Sequence, residues 1–322
     1  MKKIIAYGMP FMDFLVNIDH LPTGKNDCAR IRKTSWQGGG KVSTALAAVG
    51  QLGGISSMIG VIGADSYGSF LIEDFKYYNV DTSHLIRDGS NGFSVVLSDP
   101  VTKGRNILAR SPKCRPYTVD DIDEEFVASH DILHLENAND VSRRLADIMH
   151  EHGGIVSIDA DTYNEGIQNM LDRIDVFIGS EFYYNSLFGE DSSLQPIHFK
   201  ENMKKVTEWG PSIVVFTFGE RGSAVYTKEG EFAYLPGFEV ETMDTVGAGD
   251  VYHGAYVYAL AVDYDPVRAA EFANAVAAIK CTGIGGRAGI PDLSMTESFL
   301  KTGKYDDTLL REKDKRYESF NL

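Results

Sequence analysis

Cysteine is scarce in this 322-residue chain: Cys28, Cys114 and Cys281 are odd in number, far apart and free of any C-x-x-C spacing. That pattern excludes a disulfide framework and a cysteine zinc site, so reduced structural thiols are expected. Also missing is any apolar stretch of bilayer length, and no membrane-spanning helix is expected. Lys2 and Lys3 open a short apolar run in the manner of a signal peptide, but Pro10 and Asp13 interrupt it and no small-residue cleavage pattern follows. A cytoplasmic protein is expected. Positive charge is in deficit as well: 31 Lys and Arg stand against 46 Asp and Glu, a formal charge of -15. No basic cluster offsets it, which excludes a surface built to neutralise nucleic-acid phosphates. An anionic ligand must be held by a focused local site. Internal repeats and low-complexity segments are absent too.

What is present is an ordinary globular balance, 43% hydrophobic and 24% charged, which removes the disordered class. The length suits one large α/β domain with a small attachment. Lys3-Ile4-Ile5-Ala6-Tyr7, stopped by Gly8, reads as a buried parallel strand, and similar runs recur at 56–62, 131–135, 156–160, 175–179 and 213–218. Between them, 41–52, 67–79, 141–152, 198–208, 250–262 and 266–282 carry helical periodicity. This alternation predicts βαβ units in a doubly wound sheet. Residues 11–37 and 92–117 break the rhythm with β-rich character, and 93–97 with 106–109 flank a hairpin turn. A small sheet acting as a lid is expected from them. Residues 303–322 are charge-dense and are expected to form a solvated terminal helix or tail.

The strongest chemical signal is Asp244-Thr245-Val246-Gly247-Ala248-Gly249-Asp250, a glycine turn opening into an apolar helix. Backbone N–H groups converge at such a turn and the helix dipole adds partial positive charge, which suits a transferring phosphoryl group. Asp250 at the helix start is placed to accept a proton from an attacking hydroxyl. A structural turn with an Asp cap satisfies the same pattern. A second cluster, Gly38-Gly39-Gly40-Lys41-Val42-Ser43-Thr44, fails the Walker A pattern because Ser35 and Val42 stand at its required positions. It leads into a small-residue helix with Lys41 at its mouth, suited either to sugar hydroxyls or to water.

In combination these segments resemble the ribokinase-like (PfkB-type) carbohydrate kinases over nearly the whole chain. Gly8-Met9-Pro10-Phe11-Met12-Asp13 looks like the family's opening strand, Gly39-Gly40-Lys41 with Leu52-Gly53 like its first signature, and 244–250 like its second. Thr217-Phe218-Gly219-Glu220-Arg221-Gly222 and Ala273-Asn274-Ala275 look like its nucleotide side. The resemblance implies an α/β fold with a ribokinase-like doubly wound, mostly parallel sheet flanked by helices and a β-sheet lid. It implies Asp250 as general base, with Gly247, Ala248 and Gly249 as anion hole. Asp13, Gly39, Gly40, Lys41, Thr44, Glu136 and Lys25 are the implied sugar contacts. Ser180, Thr217, Gly219, Gly222 and Asn274 are the implied ATP contacts. Magnesium should accompany ATP, with Glu181 ordering a metal-bound water, and a monovalent cation such as K+ has a place near Asp244 and the loop 283–289. A homodimer pairing through the lid is expected.

Departures from the family pattern bear on substrate. Ser180 and Tyr183 stand where the family carries Asn and Glu, and Phe11 and Thr44 stand where Asn is usual, which moves the expectation away from ribose. The glycine and Ser-Glu pattern, with Lys280-Cys281-Thr282-Gly283 and 285–291, looks most like the sulfofructose-kinase branch, which implies a ketohexose or sulfofructose-like acceptor. Lys25, Lys103, Arg105, Arg110, Lys113 and Arg115 are then lid cations that either reach the sugar's anion or stay solvated. Alternatives are a 2-keto-3-deoxygluconate kinase and, from another class, a catalytically weak sugar-binding regulator on the same fold. His150 and His152 point to different sides of a helix and make no metal pair. His253 is read as packing beside the catalytic helix, Glu136 as a sugar contact at a strand end, and Asp159 and Asp161 as turn caps.

Overall fold

The computed structural model describes residues 1–318 except 23, 26, 99–104 and 194–197. Aliphatic residues that cannot stay in water organise its first half. Strand β1 (Lys3–Tyr7) is buried along four of its five residues. The chain then leaves the main body as β2 (Phe11–Ile18) and β3 (Ile31–Gly39), an antiparallel pair. It re-enters through helix α1 (Lys41–Gln51), whose alanines allow nine consecutive residues to be buried against the sheet. Strand β4 (Ile55–Ile62) pairs parallel to β1, and helix α2 (Ser66–Tyr77), capped by the Asp65 side chain, follows. Short strands β5 (Val80–Asp81) and β6 (Leu85–Arg87) finish that edge, both beside β4. A second excursion, β7 (Phe93–Ser98) and β8 (Arg105–Arg110), completes a separate sheet in the order β3-β2-β7-β8.

The second half repeats the βαβ rhythm. Helix α3 (Glu124–Ala128), strand β9 (Ile132–Leu135) and helix α4 (Asp140–Glu151) are followed by β10 (Ile155–Ala160), α5 (Glu165–Gln168) and β11 (Val176–Ser180). Helices α6 (Glu181–Phe188) and α7 (Phe199–Glu208) lead to β12 (Ile213–Thr217). Two antiparallel strands that the aliphatic pattern does not announce, β13 (Ser223–Thr227) and β14 (Phe232–Leu235), extend the sheet. The main order is β14-β13-β12-β11-β10-β9-β1-β4-β5, parallel from β12 to β5. Helices α8 (Ala248–Ala261) and α9 (Pro266–Lys280) pack with α1 on one face, and α4 and α7 on the other. Each face has its own apolar core, which is the doubly wound arrangement the alternation predicts.

The C-terminal region departs from expectation. Helix α10 (Leu293–Thr302) precedes α11 (Thr308–Glu318). The sequence reading has this charged end in solvent, yet Leu310, Lys313 and Tyr317 are buried, the last two at 0% exposure. Lys33 of β3 is ion-paired with Asp314 and lies 3.1 Å from Glu318, so α11 grips the small sheet as well as the body. The lid expectation also changes in extent. Its first arm runs on to Gly39, and its second leaves the sheet at Arg110, after which Tyr117 packs on Tyr7 of β1 at 5.5 Å between ring centroids. Among the described residues no helix is long and apolar enough to cross a membrane.

Candidate active site at the carboxyl ends of the strands

The parallel strands deliver side chains to one edge, the end at which open α/β sheets hold ligands. Asp13 sits on β2 and accepts a 2.5 Å hydrogen bond from Ser94 on the neighbouring β7. Burial raises its pKa, and Ser94 opposes that rise. Its carboxylate lies against Gly39 so closely that a Cβ there would come within 2.0 Å of Oδ2. Gly40 follows with φ 91° and starts α1, so that Lys41 leaves the first turn toward the strand ends. Lys41 Nζ lies 3.3 Å from Asp161 Oδ2. Partial burial works against its charge, but Asp159, Asp161 and Asp250 together hold its pKa above the usual range.

Asp250 stands in the first turn of α8, whose preceding residue Gly247 takes φ 73°. A Cβ on Gly247 would also lie 2.8 Å from Gly286 Cα, so conformation and space both call for glycine. Burial raises the Asp250 pKa well above the carboxylate range, reinforced by Asp159 and opposed by Lys41. Burial raises Asp159 likewise, with Lys41 lowering it and Asp161 raising it. Glu136, at the end of β9, is pushed up to about 7 by burial although the N–H groups of Met9 and Val42 both donate to it. Asp13, Lys41, Asp159, Asp161 and Asp250 therefore share one electrostatic site. The site is acid-rich, and at neutral pH part of that acid is protonated.

Several assigned residues take other roles. Glu136 accepts from the N–H groups of Met9 and Val42, linking the segment after β1 to the start of α1. Thr44, read as a sugar contact, is 1% exposed and presents no surface to one. Ala248 N–H donates to the Thr245 carbonyl at 3.2 Å, whereas Gly249 faces open space, with no heavy atom within 4 Å of a Cβ built there. The first amides of a helix lack intrahelical partners, so the turn at Gly249 and Asp250 is the open part of this segment. Lys25 is exposed in the loop between β2 and β3. Arg110 stands opposite Phe93, with its guanidinium 5.7 Å from that ring. It is thus on the face of the small sheet opposite to Asp13 and Ser94. Arg115 is engaged with Asp121 at 2.7 Å, Lys103 lies outside the described residues, and so does the side chain of Arg105.

On the nucleotide side, the Ser180 hydroxyl accepts from the N–H groups of Phe182 and Tyr183 and donates to the Asp161 carbonyl. It caps α6 and links that helix to the loop carrying Asp161. Glu181 is paired with Arg221 at 2.8 Å, so the carboxylate read as a magnesium-water ligand already has a cation. Thr217 ends β12, and Gly219 and Gly222, with φ 58° and 96°, flank the tight turn that follows. Asn274 accepts from Ser223 and donates to the Leu235 carbonyl, a buried tie between α9 and β13–β14. No group of three or more His, Cys, Asp or Glu able to hold a metal occurs among the described residues.

Near Asp244, where the resemblance implies a monovalent cation, the carboxylate accepts from the N–H groups of Val246 and Gly285, and the carbonyl accepts from Lys280 Nζ at 2.9 Å. Sequence reasoning quoted this lysine only within a family pattern and did not place it against Asp244. It also read Asp159 as a turn cap, although the residue's place at the end of β10 was a signal for the site. Asp159 is buried, with His253 Nε2 3.5 Å from its Oδ1. Burial lowers the His253 pKa to about 3, so the imidazole beside it is neutral.

Known proteins resemble this chain in sequence and in fold. A family model described as pfkB family carbohydrate kinase matches residues 1–293. A 5-dehydro-2-deoxygluconokinase of Clostridium perfringens is 24% identical over 327 aligned positions, covering 94% of this chain and 93% of that protein. An ATP-dependent ribose-1-phosphate kinase of Halopiger xanaduensis is 26% identical, covering 93% and 98%. The crystal structure of a ribokinase from Thermotoga maritima superposes with a TM-score of 0.78 at 26% identity, covering 94% of this chain and all of that one.

Proposed function

The chain belongs to the pfkB family of carbohydrate kinases, and from that premise we propose that it transfers the γ-phosphoryl group of ATP to a primary hydroxyl of a six-carbon keto-sugar or sugar acid. The observation that carries the catalytic part is Asp250: a carboxyl in the first turn of α8, with its pKa raised by burial, in one site with Lys41 and Asp13. A base of this kind takes the proton of the attacking hydroxyl most effectively when its pKa lies near the working pH. The open turn at Gly249 and Asp250 receives the transferring phosphoryl oxygens, and Lys41 balances charge between Asp161 and the reacting groups. Magnesium, when bound with the nucleotide, neutralises phosphate charge.

The acceptor reading rests on two supports. The relatives named above act, by their names, on a dehydro-deoxygluconate and on ribose 1-phosphate, both of which bear an anionic group. The strand-end cleft itself gathers carboxyls around one lysine, so the end of the sugar that reacts must be neutral and the anion must lie at the other end. A coupled assay of ADP release across 5-dehydro-2-deoxygluconate, 2-keto-3-deoxygluconate, sulfofructose, fructose and ribose tests this. Turnover confined to ribose would overturn the six-carbon reading, and turnover unchanged in Asp250→Asn would overturn the base.

A further inference from the structure

A chain of buried polar contacts runs from the C-terminal helix to the loop that carries Lys41. Tyr317 of α11 donates to Asp74 Oδ1 at 2.7 Å. Arg287 Nη1 donates to Asp74 Oδ2 at 2.7 Å, with both side chains at 0% exposure. Arg287 Nη2 donates to Ser43 Oγ at 2.9 Å, and Ser43 Oγ in turn donates to the Gly39 carbonyl. The Arg287 N–H is bonded to Gln37 Oε1 at 2.7 Å, and its carbonyl accepts from Tyr78, whose hydroxyl is 3.0 Å from that of Tyr317. Gly38 is part of the same construction: a Cβ there would lie 2.1 Å from Arg287 Nη1 and 2.7 Å from Asp74 Oδ2.

The guanidinium therefore occupies the space behind the glycine run, and its position sets that of Gly39 and Ser43. Those residues flank Gly40 and Lys41. The guanidinium is held in turn by a carboxylate that needs partners for both of its buried oxygens. One oxygen takes Arg287, and the other takes Tyr317, with Arg316 Nη2 of the same helix 4.0 Å away. Lys313, one turn earlier on the same face of α11, donates to the Ile290 carbonyl at 2.7 Å and so fastens the helix to the segment just after Arg287.

We propose that Tyr317 is a positioning residue for the sugar loop, acting through Asp74 and Arg287 on Gly39, Ser43 and so on Lys41. The role of the loop in the reaction rests on the function proposed above; the mechanical coupling does not. The test is Tyr317→Phe, which keeps the ring in place and removes only the hydroxyl, with its donation to Asp74 and its contact with Tyr78. Met203→Ala, a buried residue of the core on the opposite face of the sheet, serves as a control for general loss of stability.

Amide hydrogen exchange is measured on the protein without ligands, followed by steady-state kinetics with each substrate varied. The Tyr317→Phe change is expected to speed exchange at Val42 and Thr44 by about tenfold and to raise KM for the sugar by at least about threefold. KM for ATP is expected to stay put, and Met203→Ala is expected to do neither. Exchange at Val42 and Thr44 that stays as in the parent protein, or changes equally in the control, overturns the coupling. Faster exchange with no sugar phosphorylated by either protein keeps the coupling and overturns the proposed function instead.

Discussion

The ammonium of Lys280 donates to the main-chain oxygen of Asp244 at 2.9 Å, so a cation built into α9 is fixed to the loop for which the family resemblance implies a bound one. The Asp244 carboxylate meanwhile accepts from Val246 and Gly285, tying together the two loops that such an ion would join. The expected outcome is catalysis indifferent to potassium. Initial rates in potassium, sodium and tetramethylammonium buffers of equal ionic strength should agree within about twofold, and a dependence of tenfold or more would contradict the substitution of lysine for ion. Lys280→Met should lower kcat, because it leaves a half-buried carbonyl without its donor and frees the loop that carries Asp244.

Asp250 predicts the acid side of the pH profile. A general base works only as the carboxylate, and its pKa is raised by burial and by Asp159. The rate should therefore climb from about pH 5 and level off near or above neutrality, well above the range of an ordinary aspartate. Asp250→Asn should lower kcat by at least about a hundredfold on the plateau, the loss typical of a missing base, and the gap should narrow as pH falls and the parent's own base is protonated. A plateau already reached at pH 5 would contradict the raised pKa.

Stability of the unliganded protein should run the other way. Burial raises the pKa values of Asp159, Asp250 and Glu136, the last to about 7, above what they have in an unfolded chain. The folded state then binds more protons between the two sets of values. Their contribution is fully present below the unfolded carboxylate pKa and is lost as pH rises through the folded ones. The part of Tm that these carboxyls carry should fall from about pH 5 to about pH 8, against a rise from buried neutral histidines such as His253, and Glu136→Gln should make the net slope less negative. The check is a thermal scan at constant ionic strength, in which an unchanged slope for the variant would count against Glu136.

Asp74→Asn should be among the most destabilising single changes in the chain. It strips the negative charge from beside a guanidinium at 0% exposure and leaves one acceptor oxygen where Arg287 and Tyr317 need two. Leaving one buried charge unpaired costs about 3–5 kcal/mol. Urea unfolding followed by circular dichroism reads this directly, and a loss under about 1 kcal/mol would mean that water reaches Arg287.

The parallel half of the fold is legible in the sequence because strands buried on both faces must be continuous aliphatic runs, as in Val214 and Val215 of β12. β13 and β14 are not, since Ser223–Thr227 and Phe232–Leu235 are short and mix polar with aromatic residues. The turn at Gly247 and the base at Asp250 are local features and can be read locally. Glu136 and Asn274 also lie at the site's edges, but what they bond to is decided by chain segments far away in sequence, and spacing carries no trace of that. Lys313 and Tyr317 share a helix face four residues apart, a signal submerged in a charge-dense stretch where lysine is ordinarily solvated.

The contact between Tyr317 and Asp74 spans 243 residues of chain. During synthesis at about 5–20 residues per second, Asp74 is made on the order of 10–50 s before the hydroxyl that completes its shell. For that interval the N-terminal half carries a charge with an open valence beside its glycine run, and folding of that region cannot close until the far end of the chain arrives. Slowing the docking of α11 would act on this last step, and so on the yield of native protein more than on its final stability.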